Sequence, residues 1–115
     1  MRKEKNFQYY KNLLPKKLTV KIHKTQRGDF WAKIKELPHC YTQGKDFLDL
    51  IEMVNDAVFT YFEVPKKFRE KLGYYVPERF LEELKRRKWE RIFREIISKG
   101  RFKERVEVFK ISRPA

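Results

Sequence analysis

A chain of 115 residues and 14.3 kDa is the size of one domain with one core. Its net charge of +13 and 39% charged residues are offset by ten Phe, six Tyr and two Trp, enough apolar surface to exclude a disordered polyelectrolyte. A single Cys excludes an intrachain disulfide and a Cys-only zinc site, and no run approaches the roughly 18 apolar residues of a membrane span, so the expectation is a soluble, cytoplasmic protein.

In chain order, the first residues Met1-Arg2-Lys3-Glu4-Lys5-Asn6 lead into no apolar segment. Phe7, Tyr9 and Tyr10, set among lysines, suit either base stacking or packing on the body. Leu18, Val20 and Ile22 alternate with Thr19, Lys21 and His23, and Phe30, Ala32 and Ile34 alternate with Trp31 and Lys33. This period of two, broken at Gln26-Arg27-Gly28-Asp29, predicts a β-hairpin of 17–24 with 29–36. Leu37-Pro38 ends the second strand, and Tyr41-Thr42-Gln43 predicts a short third strand closed by Gly44.

Asp46 and Asp49 are spaced as a helix cap, and Phe47, Leu50, Ile51, Val54, Ala57, Val58, Tyr61 and Phe62 recur at helical spacing. They predict a helix over 46–63 whose face needs a sheet to cover it, with Pro65 as its stop. Lys66–Leu72 predicts a short helix ended by Gly73. A long helix is predicted over 77–99, opening with Pro77 in its first turn and closing at Gly100. Residues 105–112, with Val106, Val108, Phe109 and Ile111, predict the closing strand. The order is β-β-β-α-(α)-α-β, or β-β-β-α-α-β without the short helix: an α+β domain with a small antiparallel sheet and helices on one face.

Gly28-Asp29-Phe30-Trp31-Ala32 and then Glu36-Leu37-Pro38-His39-Cys40-Tyr41-Thr42-Gln43-Gly44 resemble the HicB-type antitoxins of prokaryotic toxin–antitoxin pairs. The resemblance spans about residues 18–64 and extends to the placement of the closing strand. It implies a partial ribonuclease-H-like, HicB-like domain over 1–115, carrying a basic helical insertion at about 66–104. By the same resemblance, the protein would bind and neutralise a small basic ribonuclease toxin of the HicA type. His39 stands where the family usually has Gly, and the chain as a whole is basic where such an antitoxin is usually acidic.

Charge is segregated. Residues 1–27 carry a net of +8, residues 28–65 a net of −4, and residues 66–115 a net of +9. The acidic centre matches the antitoxin reading, which assigns toxin binding to Asp49, Glu52 and Asp56. The alternative is a regulatory protein that binds DNA or RNA through its basic flanks, with Arg87, Arg91 and Arg94 along one side of the 77–99 helix. Glu82, Glu83, Glu90 and Glu95, interleaved with those arginines, favour a solvated face instead. No pair of short helices around a compact turn suggests a helix-turn-helix. Trp89, Ile92, Phe93, Ile96 and Ile97 give that helix surplus apolar surface, which predicts a homodimer.

Catalysis is not expected. Asp49, Glu52 and Asp56 fall at i, i+3 and i+7 on one helix, too linear to converge on two metal ions. His23, His39 and Cys40 lack zinc-ligand spacing, and no base or orienting group accompanies the thiol. The sequence therefore predicts a non-enzymatic binding protein without metal or cofactor.

Overall fold

The computed structural model describes residues 6–81 and 104–112. The element order is α1 (Phe7–Leu13), β1 (Lys17–Lys24), β2 (Phe30–Ile34), β3 (Tyr41–Gly44), α2 (Phe47–Tyr61), α3 (Lys66–Leu72), β4 (Tyr74–Pro77), a 3₁₀ turn (Glu78–Phe80) and β5 (Glu104–Ser112). All pairings are antiparallel, and the sheet runs β3-β2-β1-β5-β4. The α+β class holds, with two elements that the sequence pattern did not indicate, helix α1 and edge strand β4.

The hairpin forms because its alternation buries one face. Leu18, Val20 and Ile22 of β1 and Ala32 and Ile34 of β2 are fully buried. The turn closes through Thr25 N–H to Asp29 O at 2.9 Å and Gly28 N–H to Thr25 O at 3.1 Å. Gly28 at φ 94 supplies the left-handed residue of such a loop. β2 is shorter than the predicted 29–36, because Lys35 and Glu36 already belong to the next reversal.

That reversal is the Leu-Pro-His-Cys segment. Cys40 N–H donates to Leu37 O at 3.1 Å, with Pro38 and His39 as the central pair. His39 has φ 61. Proline followed by a positive-φ residue is the signature of a type II turn, whose third position favours glycine. A histidine therefore holds here the left-handed backbone that glycine favours. Cys40 is buried, and burial pushes its thiol pKa up.

Helix α2 is capped as its sequence predicts: Asp46 Oδ1 accepts from Asp49 N–H at 2.8 Å, and Asp49 Oδ2 accepts from Lys45 N–H at 2.8 Å. Leu50, Ile51, Val54 and Val58 are buried against the sheet. The helix ends earlier than 63, and not because of Pro65. Glu63 N–H donates to Thr60 O and Val64 N–H to Phe59 O, with Glu63 at φ 55. This is a Schellman closure with buried Val64 and Phe59 as its apolar pair. Pro65 instead precedes α3 as its N-cap.

Gly44 owes its place to space rather than to an unusual φ. A Cβ there would lie 2.4 Å from the Leu50 backbone nitrogen, so β3 and the first turn of α2 meet backbone to backbone. At the other end of the sheet, Tyr74–Pro77 forms edge strand β4, paired with β5 through Tyr75↔Ile111 and Pro77↔Phe109. Pro77 therefore ends a strand, and helical backbone begins only after it; the remainder of the predicted 77–99 helix lies outside the described residues. Asn55, buried in α2, fastens β4: its Nδ2 donates to Tyr75 O and to Ile51 O at 2.8 Å each, and its Oδ1 accepts from Tyr75 N–H.

In β5 the register puts Phe109 and Glu107 on the core side, opposite Leu18 and Val20, and leaves Val106 and Val108 outward. The fully buried Phe109 ring against Leu18 outweighs the smaller valines in setting that register. Helix α1, capped by Asn6 Oδ1 accepting from Tyr9 N–H at 3.0 Å, packs on α3 through Phe7 and Tyr10 against Phe68. The aromatic N-terminal segment is thus mostly packed, with Tyr9 left at the surface.

Candidate partner-binding surface

Helix α2 has its apolar side against the sheet; Asn55 is buried, and the acidic residues lie on the other side. Asp49, Glu52 and Asp56 lie along that side over about 10 Å of helix, but the structure gives each a different commitment. Asp49 is half-buried and serves the helix cap described above. It borders an open shallow cleft shared with Asp29, Gln43, Lys45 and Met53. Asp56 pairs with Arg69 at 3.3 Å, its own side chain still 60% exposed. Arg69, on α3, also donates to Val64 O at 3.1 Å and lies over the Phe59 ring, so the end of α2 holds its guanidinium in place. An exposed pair of this kind adds little stability, about 0–1 kcal/mol.

Glu52 is fully at the surface, near β4. Burial, with the Glu52 carboxylate as the second influence, pushes the Tyr74 hydroxyl pKa up to about 12. Of the three acids, Glu52 is the one most available to an incoming cation. The basic trio Arg87, Arg91 and Arg94 lies outside the described residues.

The opposite face of the sheet has a different character, set by the register. Lys21 stands directly across from Lys33, and Lys17 directly across from Lys110. His23 pairs with Trp31, their rings stacked at 4.1 Å and 10°. Lys33 in turn pairs with Tyr41, its Nζ 5.8 Å from the ring centroid. Tyr41 is 55% exposed and Val106 60%. Two acids are tied up on this side. Glu36 accepts from Thr19 N–H at 2.7 Å and from Thr19 Oγ1 at 2.8 Å; burial pushes its pKa up, but these bonds together hold it below the usual carboxylate value. Glu78 binds Lys110 at 2.6 Å, and that bond holds its carboxyl low as well. Alternation in the sequence shows that Lys21 and Lys33 point outward, but only the strand register shows that they oppose one another.

Among the described residues no group of three His, Cys, Asp or Glu side chains could hold a metal ion. No described helix is long and apolar enough to cross a membrane. Two short archaeal chains are similar in sequence. A UPF0150 protein of Archaeoglobus fulgidus is 35% identical over 54 residues, covering 47% of this chain and 78% of the relative. A UPF0150 protein of Thermoplasma acidophilum is 36% identical over 56 residues, covering 49% and 81%. The chain belongs to the UPF0150 family. No family model matches it, and no solved structure does. Each of these two relatives aligns with about half of this chain.

Proposed function

We propose that this UPF0150 protein is a HicB-like antitoxin, a non-enzymatic protein that binds and neutralises a small basic ribonuclease toxin. The resemblance of residues 18–64 to HicB-type antitoxins supports this reading, as does the Leu37–Gly44 segment that builds the type II turn and the β3–α2 junction. The observation that carries it is the outward acidic side of α2: in a chain of net charge +13, the segment 28–65 is net negative and presents Glu52 and Asp56 to solvent. A basic partner is drawn to such a patch by long-range attraction, which acts mainly on the rate of encounter.

The test is co-expression with a small basic protein encoded beside this chain's gene, followed by copurification and kinetic measurement. Glu52→Lys should slow association by roughly two- to tenfold at low salt and weaken neutralisation, the difference shrinking as salt is added. Asp49 is unsuitable for this test, since its loss also uncaps α2. Neutralisation that is indifferent to Glu52→Lys combined with Asp56→Lys would falsify the acidic-patch mechanism.

A further inference from the structure

Directly opposed like charges on neighbouring strands are destabilising, yet the exposed face of this sheet has two such lysine pairs, Lys21 with Lys33 and Lys17 with Lys110. The Glu78 carboxylate binds Lys110 and lies near Lys17, at the β4 side of the sheet. Lys21 and Lys33 are both exposed and lie at the centre of the sheet, where an anion laid across the strands would reach both. Glu104 stands in register opposite His23.

The cations are interleaved with rings. Across the sheet one row reads Val106, Lys21, Lys33, Tyr41, and the next reads Glu104, His23, Trp31, Gln43. Each row crosses the strands at right angles, adjacent strands lying about 4.8 Å apart. A polyanion that also offers flat apolar surfaces would satisfy both components. Duplex nucleic acid keeps its bases stacked inside, whereas a single strand presents them.

We propose that this open sheet face binds single-stranded nucleic acid, with Lys21 and Lys33 on successive phosphates and bases stacking on Tyr41 and on the Trp31–His23 pair. The surface lies on the other side of the sheet from α2. The proposal therefore does not rest on the antitoxin reading, and either can fail alone.

The experiment is fluorescence anisotropy of the full-length protein with labelled 12-nucleotide oligouridine and oligothymidine, a 12-base-pair duplex of mixed sequence, and heparin as competitor. The single strands should bind more tightly than the duplex, and comparison of the two separates RNA from DNA as the preferred source. Tyr41→Ala should cost about tenfold in affinity while Tyr41→Phe keeps it, because stacking needs the ring and not the hydroxyl. Lys21→Glu with Lys33→Glu should reduce the slope of log affinity against log salt by about 1.4, the value for two lost single-strand phosphate contacts. Tyr41 and both lysines are exposed, and the melting temperatures of the variants confirm that the fold persists. Three results each overturn the proposal. One is absence of single-strand binding. Another is equal affinity for duplex and heparin that Tyr41→Ala leaves unchanged. The third is sedimentation showing the same substitutions abolishing a homodimer while leaving oligonucleotide affinity intact.

Discussion

The sheet ends in two four-residue strands, β3 on one side and β4 on the other, and the same helix closes both by opposite means. At β3 the contact depends on a missing side chain: Gly44 lets the strand backbone touch the first turn of α2. At β4 it depends on a polar side chain: Asn55 supplies a donor and an acceptor to Tyr75, as a neighbouring strand would. An unpaired strand edge invites pairing with other chains, and here one edge is occupied by an amide. The contrast shows that a short strand can be held by close packing or by a borrowed hydrogen-bond ladder, and that the two depend on different atoms.

The largest effect should come from removing the contact at β3. Gly44→Ala places a carbon 2.4 Å from the Leu50 backbone nitrogen, and backbone cannot rotate away as a side chain can. We expect a loss of about 3 kcal/mol in urea denaturation, with faster hydrogen exchange concentrated in the β2–β3 amides. Asn55→Ala comes next. It leaves the buried Tyr75 N–H and carbonyl without their partner, at about 2 kcal/mol, and its exchange signature should fall on β4. Should both variants open the same amides, the two edges would be one cooperative unit, and the distinction between them would be broken.

The smallest effect sharpens the β3 side. His39→Gly relieves a left-handed residue in the turn leading into β3, a conformation that costs an L-residue about 1–2 kcal/mol. Greater flexibility of glycine in the unfolded chain offsets part of this, so the net gain should be up to about 1 kcal/mol, read as a higher thermal midpoint. A loss of stability would show that the imidazole makes a contact that outweighs the strain.

These positions differ in how well the sequence announces them. Strand β1 and helix α3 have the bounds that alternation and the Gly73 stop indicate, and the Asp46–Asp49 cap forms as spaced. Gly44 is visible because a glycine between a strand and a capped helix is conspicuous, though its reason is proximity and not φ. Asn55 is invisible: one polar residue in an apolar stripe reads as a surface position until its partner strand is known. Strand β4 is hidden for a similar reason. Four residues ending in Pro77 and followed by Glu78 resemble a helix start, and their pairing partner comes some thirty residues later. The acidic side of α2 is legible as charge, but not the division of labour in which Asp49 caps, Asp56 pairs and Glu52 stands open. The lysine pairs are hidden entirely, since a one-residue slip in register would dissolve them.

Cys40 carries one last consequence. It is the protein's single thiol, it sits beneath the type II turn at 7% exposure, and burial disfavours its thiolate. Alkylating reagents and oxidants react with the thiolate and need access to it, so they meet this sulfur chiefly when the turn lifts. The native fold thus carries its own one-atom clock: the rate at which the thiol is consumed counts the openings of the loop between β2 and β3, without any label having been added.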